Sequence, residues 1–325
     1  MNSLELFKTQ KFYQIDISIL KDLGYDVLLS NRIFDSLLFW KYDILFSYFY
    51  RYSFFAALLA KCFGKKTYFT GGIDSLDSDY ASAFNYKIQA LFFKLCYWVA
   101  DSCIIVSQSD LKNIFKVSSL KKKLSYSEHV INTKLFIADV PKEKIFTSIV
   151  WMGDEGNVVR KGVDKALQIF AELKKIPEFV DYRFVIIGRK GEGEVLVRSI
   201  IDKYNLKGSV ELKGEVSEED KINLLKQSKY YFQLSLYEGF GLAALEALCA
   251  NNIIIHSGKG GLANPIYKEQ LLFDIDNDFD SELLKLVNKL ACFTPITSYD
   301  NLLEYYDIQR RKDDFEAIIA VSYTH

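Results

Sequence analysis

A chain of 325 residues, half of them hydrophobic and 15% aromatic, can bury two cores of about 150 residues each. Its formal charge of −1 lacks the strong basic excess of a nucleic-acid binder, although the first 140 residues are slightly basic and the remainder slightly acidic. The most apolar region, 36–60, is interrupted by Lys41, Asp43 and Arg51, which excludes a clean membrane span of about 20 residues there.

Along the chain, short β-branched and aromatic runs alternate with segments of helical spacing, the pattern of an α/β fold with a largely parallel sheet. In the first half, strands are expected at 26–30 (DVLLS), 43–48, 66–70 and 102–107, and helices at 9–23, 51–63, 84–100 and 109–115. Around 140–144 the texture changes, with Pro141 amid charged residues. The boundary is set there, giving an N-terminal domain 1–140 and a C-terminal domain 141–300. In the second domain the expected order is strand 146–152, helix 162–173, strand 183–188, helix 194–204, strand 209–212, helix 218–227, strand 230–234, helix 242–249 and strand 253–256. Such a doubly wound order binds ligands at the carboxyl ends of its strands. The charged tail 301–325 reads as a helix returning toward the N-terminal domain.

The opening MNSLELFKTQ lacks the apolar core of a signal peptide. Cys62, Cys96, Cys103, Cys249 and Cys292 form no C-x-x-C pair and lie in apolar surroundings, so they read as buried, reduced thiols suited to the cytoplasm.

The most informative stretch is 235–248, SLYEGFGLAALEAL. A strand ends near Leu234 and a helix begins near Gly241. Gly239 and Gly241 let the backbone turn tightly and approach a ligand, and the first turn of the helix offers N–H groups to an anion. Glu238 in the loop and Glu246 on the helix place two carboxylates, good acceptors for pairs of sugar hydroxyls, beside that turn.

EGFGLAALE, preceded by Ser235 and followed by Ala247-Leu248, resembles the E-x7-E signature of retaining GT-B glycosyltransferases, glycosyltransferase family 4 in particular. That resemblance implies two Rossmann-like doubly wound domains facing a central cleft, with the donor held mainly by the second. Glu246 would hold the nucleotide ribose diol, Glu238 the donor-sugar hydroxyls, and the backbone of Gly239, Phe240, Gly241 and Leu242 the sugar and diphosphate. The segment GDEGNVVRKGVDKA from Gly153 is similar to the family's G-R-…-K-G loop. Lys161 matches the lysine on the donor diphosphate, where a cation offsets charge on the leaving group. The family has Arg after the first Gly; here it is Asp154, and Arg160 or Arg189 is the candidate substitute. FVIIGRKG, with Gly188 and Arg189, resembles the turn before the base pocket. KGEVSEEDKINLL, IIIHSGKGGLANPI and HVINTKLF resemble further family elements. The resemblance thins in the first third, where MNSLELF would serve as a shortened first strand. Gly71, Gly72 and Asp74 stand where the family approaches donor or acceptor.

The resemblance implies an enzyme of the hexosyltransferase type (EC 2.4) in polysaccharide biosynthesis. It would move a sugar from a UDP- or GDP-linked donor to a glycan, lipid-linked or other hydroxyl acceptor, with no cofactor and no metal. One alternative is a partner subunit that binds nucleotide sugar without turnover. Another is a metal-dependent GT-A enzyme using Asp77-Ser78-Asp79 or Asp274-Ile275-Asp276. A related GT-B epimerase would need acid/base groups, and none is evident. His129, His256 and His325 are scattered and support no hydrolase triad. The basic, aromatic run FWKYDILFSYFYRYSFF suits either core packing or peripheral contact of the N-terminal half with the inner face of a membrane.

Overall fold

A computed structural model describes residues 3–137, 140–293 and 300–321, which form two units. The first runs to Ile131 and takes in the chain again from Glu304; the second is Asn132–Leu303. The division therefore falls before the boundary expected at 140. The reason lies in Phe136, which is buried and packs its ring under Lys221, so the HVINTKLF segment ends inside the second unit. His325 lies outside the described residues.

The first unit opens with α1 (Ser3–Thr9) and α2 (Lys11–Asp22). Residues 3–7 of the expected shortened first strand are thus helical: Phe7 folds back on Tyr13, with ring centroids 4.7 Å apart. Residues 26–30 are not a strand either; Leu28 and Leu29 are exposed and the run pairs with nothing in the sheet. An apolar run of that length does not define its own partner. The sheet consists of β1 (Ile44–Tyr48), β2 (Lys66–Thr70), β3 (Ser102–Ile105) and β4 (Leu124–Tyr126), parallel and in sequential order. Between them run α3 (Tyr50–Cys62), α4 (Ala83–Val99) and α5 (Gln108–Val117).

Right-handed crossovers place these three helices on one face. Alternation along the strands then sends Leu45, Phe69, Cys103 and Ile105 to the helices, into a core with Tyr50, Phe54, Phe93 and Ile114. Phe46 and Ile104 point the other way and pack with Ile19 of α2 and Phe315 of the last helix. Of the cysteines, Cys96, Cys103 and Cys249 are buried, but Cys62 and Cys292 are exposed, at or next to helix ends where the apolar stripe runs out.

The second unit has β5 (Glu143–Ile149), β6 (Arg183–Ile187), β7 (Val210–Gly214), β8 (Ser228–Gln233), β9 (Ile253–His256) and β10 (Leu271–Leu272). All are parallel, in the order β10-β9-β8-β5-β6-β7. This is the doubly wound order, reversing between β5 and β8. Helices α6 (Glu155–Arg160), α7 (Val163–Leu173) and α8 (Glu194–Lys203) follow β5 and β6; α9 (Glu218–Gln227) and α10 (Leu242–Cys249) precede and follow β8. The chain closes with α11 (Phe279–Cys292), α12 (Asp300–Tyr305) and α13 (Ile308–Val321). Phe146, Phe184, Tyr230 and Phe232 on one sheet face pack with Phe170 of α7, Val197 of α8 and Leu286 of α11. On the other face Ile145, Val185 and Ile187 meet Leu224 of α9. Just before β5, Lys142 donates to Leu225, Lys226 and Ala250 carbonyls at 3.3, 2.8 and 2.6 Å, capping the carboxyl ends of α9 and α10 together.

Two buried histidines set an acid limit. Burial pushes His256 down to about 4 and His129 to about 3, from 6.5, with Arg311 adding to the effect at His129. Both are neutral in the folded chain, whereas the unfolded chain takes up their protons below 6.5. Stability is therefore complete above that value and falls as the pH drops, by up to about 1.4 kcal/mol per histidine per pH unit. Urea titrations at about pH 7 and about pH 5 should show the midpoint falling. An equal midpoint at both would contradict the burial of these rings.

Candidate functional site

The sheet order reverses between β5 and β8, so the loops leaving their carboxyl ends diverge and leave a crevice at the switch point. After β5 the chain forms α6, a single Gly at the left-handed φ of 69°, and α7. That glycine, Gly162, is obligatory: a Cβ there would lie 2.0 Å from the Leu234 carbonyl oxygen. The Leu236 amide also donates to the Arg160 carbonyl at 2.8 Å. The Arg160–Gly162 turn is thereby bolted to the loop after β8, and Lys161 is delivered to Glu238.

Lys161 Nζ lies 2.5 Å from Glu238 Oε1. The same oxygen accepts from Gln233 Nε2 at 2.8 Å and Ser235 Oγ at 2.7 Å. Behind them, Tyr231 donates to Gln233 Oε1 at 3.2 Å, and burial near Glu246 and Glu238 holds its phenol well above the usual range. Tyr231 and Gln233 alternate along β8 and so share a face, and Ser235, two residues beyond the strand, accepts from Gln233 Nε2 at 2.9 Å. The motif reading finds Ser235 but misses Tyr231 and Gln233. The available signal is a period-two polar series in an otherwise apolar strand.

Within the signature, Gly241 is explained by its backbone conformation. Gly241, at φ 87°, opens α10, most of which is buried. Phe240 is buried, and Gly260 and Gly261 pack directly on the backbone of Glu238 and Phe240, where Cβ atoms would come within 2.2 and 2.6 Å. A Cβ on Gly188 would likewise lie 2.0 Å from the Val150 carbonyl oxygen, and the Arg189 carbonyl accepts from the Met152 amide at 2.9 Å. The loops after β5, β6, β8 and β9 thus interlock, with Gly153, Gly188, Gly239 and Leu242 all at the carboxyl end of the sheet.

Glu246 is buried on α10 and pairs with Lys221 Nζ of α9 at 2.7 Å; Lys221 also reaches Glu218 at 3.1 Å. The motif reading does not single out Lys221. Nothing local marks it, because its partner lies 25 residues on. Asp154, which stands where the family has Arg, caps α6 by accepting from the Asn157 amide at 2.6 Å. Arg160 turns to Asn157 Oδ1 of its own helix, at 2.7 Å, and Arg189 is exposed on its loop. Gly71, Gly72 and Asp74 belong to the first unit, at the carboxyl end of β2, where Gly71 adopts φ 105°. The two D-x-D triplets are occupied locally. Asp77 caps a turn through the amides of Asp79 and Tyr80, and Asp276 pairs with Lys259.

Residues 156–290, which contain this constellation, match the model of the family described as "Glycosyl transferases group 1". The second unit thus contains a domain similar to glycosyl transferases group 1. Relatives of that domain include the GDP-mannose:cellobiosyl-diphosphopolyprenol alpha-mannosyltransferase of Xanthomonas oryzae pv. oryzae, 32% identical over 163 residues, covering 44% of this chain and 40% of the relative. The GPI3 subunit of the phosphatidylinositol N-acetylglucosaminyltransferase of Saccharomyces cerevisiae is 27% identical over 129 residues, covering 40% and 28%. The chain thus spans less than half the length of these relatives. Among solved structures, Anabaena HepE in complex with UDP-glucose superposes with a TM-score of 0.70 at 12% identity, over 94% of this chain and 88% of that one. Sucrose-phosphate synthase from Thermosynechococcus elongatus gives 0.62 at 17% identity, over 97% and 77%. The matched residues lie in the second of two parallel-sheet units, and the fold class is GT-B.

Proposed function

We propose that this chain transfers a sugar from a nucleotide-sugar donor, UDP- or GDP-linked, to a hydroxyl of a glycan or lipid-linked acceptor, with retention of configuration and without a metal. The observation that carries this reading is the Lys161–Glu238 contact at the switch point of the second sheet, delivered by two loops that glycines lock together. Glu238 pairs with Lys161. A diphosphate entering the crevice offers the lysine a doubly charged partner. Glu238 is then released toward donor hydroxyls, still oriented by Gln233 and Ser235.

In the reaction, the bond from the sugar's anomeric carbon to the phosphate oxygen breaks through an oxocarbenium-like state. The acceptor oxygen bonds to that carbon on the same face, and its proton passes to the departing phosphate. Lys161 takes the charge that builds on the leaving group. Glu246, held by Lys221, takes the ribose diol. The named substrates of the relatives, GDP-mannose, a diphosphopolyprenol and phosphatidylinositol, favour a lipid-linked acceptor met at the cytoplasmic face of a membrane by the first unit.

A thermal-shift screen with UDP, GDP, ADP and CMP tests the donor side. One of them at 100 times its Kd should stabilise the folded chain by about 2.7 kcal/mol. Glu246→Ala should weaken that ligand by about 1–3 kcal/mol through loss of a charged hydrogen-bond partner. A flat response to all four nucleotides would overturn the reading.

A further inference from the structure

Helix α4 buries Phe93, Cys96, Tyr97 and Val99 in the core of the first unit. Its outward face carries Phe84, Lys87, Leu91, Lys94 and Trp98, at alternating spacings of three and four that keep them on one stripe. On a helix packed at a protein surface that stripe is ordinarily polar. Here Phe84, Leu91 and Trp98 are 72%, 55% and 71% exposed. A lysine sits in each gap between them, and the whole spans about 20 Å. Trp98 also lines a groove with Leu58 and Cys62 of α3, so the two helices share a surface at that end. On α3, Tyr52 and Phe55 are exposed as well, beside Arg51.

Neither α3 nor α4 contains an aspartate or glutamate. The nearby Asp101 is already neutralised by Lys61 at 3.0 Å and Lys66 at 3.7 Å. The exposed faces of the two helices are therefore apolar and cationic. A protein partner would meet two lysines in the middle of the contact, where interfaces are depleted of lysine. An anionic bilayer meets both demands. Rings and Leu91 enter the acyl boundary, while flexible lysine stems lift their ammonium groups to the phosphates.

We infer that the outer stripe of α4, with the adjoining face of α3, docks this chain onto an anionic lipid bilayer. This extends the transferase reading by naming the surface that brings the first unit to a lipid-linked acceptor. None of the stripe residues belongs to the donor site.

The test is flotation of the full chain with vesicles of phosphatidylcholine alone or mixed with phosphatidylglycerol, with each preparation also titrated with UDP and GDP. The parent should float with the mixed vesicles and be released by salt. K87Q/K94Q should lower partitioning onto mixed vesicles about thirty-fold. F84S/W98S should lower it at least about tenfold. All four side chains are exposed, so circular dichroism and urea midpoints should match the parent. The inference fails if the parent stays in solution with anionic vesicles or if both variants float like the parent. It also fails if sedimentation velocity shows a dimer that F84S/W98S dissociates without any vesicle binding. Nucleotide binding that survives such a failure leaves the transferase reading standing. Flotation without nucleotide binding overturns that reading and not this one.

Discussion

Lys161→Ala is expected to lower the release of nucleoside diphosphate from the donor by about 10²–10³-fold, the usual cost of removing one preorganised charge from a developing anion. The fold should survive. Lys161 is partly exposed, and in its absence Glu238 keeps two neutral donors, Gln233 and Ser235. Glu238→Ala should be equally damaging to turnover for a different reason. In the proposed mechanism it removes the acceptor for donor hydroxyls, and it leaves Lys161 without its carboxylate partner. Glu238→Gln separates the two roles, because it keeps a hydrogen-bonding oxygen and removes the charge. Turnover of the purified chain, scored as UDP or GDP released, decides. Parent-like rates in either alanine variant would remove these residues from the mechanism, and a partner subunit that binds without turnover would show no release in the parent.

The second large effect is on stability. Arg311 of α13 and Asp16 of α2 form a fully buried bidentate pair, with Nε–Oδ1 at 2.6 Å and Nη2–Oδ2 at 2.9 Å. Arg311 also donates to the Ser127 and Glu128 carbonyls at 2.6 and 3.1 Å, and Tyr48 donates to Asp16 at 2.9 Å. Asp16→Ala or Arg311→Met leaves an uncompensated charge in the core, so each should cost about 3–5 kcal/mol. The double variant Asp16→Leu with Arg311→Met should recover part of that loss, since no charge is stranded. The recovery stays incomplete because the two carbonyls lose their donor. Urea unfolding followed by circular dichroism measures all three. A single variant within about 1 kcal/mol of the parent would contradict the pair's burial.

The parts of this molecule that are legible in its sequence are those whose signals are local. Helices Glu218–Gln227 and Leu242–Cys249 and strand Ile253–His256 match their predicted bounds, because caps, glycines and β-branched runs mark them. The signature loop is legible for the same reason: Gly239, Gly241 and the paired glutamates stand within one short stretch. What stays hidden depends on distant partners. The DVLLS run has the composition of a strand but nothing to pair with. Lys221 gains meaning only when α9 is laid beside α10, and Asp16 only when α13 returns to α2. The replacement of an arginine by Asp154 looks like a loss of function in isolation. In the fold it is a helix cap that steadies the turn carrying Lys161.

The pairing of Asp16 with Arg311, 295 residues apart, bears on the order in which the protein is made. On the ribosome, the contiguous Asn132–Leu303 unit leaves the exit tunnel with all its strands and can fold while Arg311 is still enclosed. The unit synthesised first must wait, carrying a carboxylate in its nascent core until Arg311 has emerged. The first unit is therefore the later of the two to be completed. A premature stop ahead of Arg311 would release a chain whose first unit lacks the partner of Asp16.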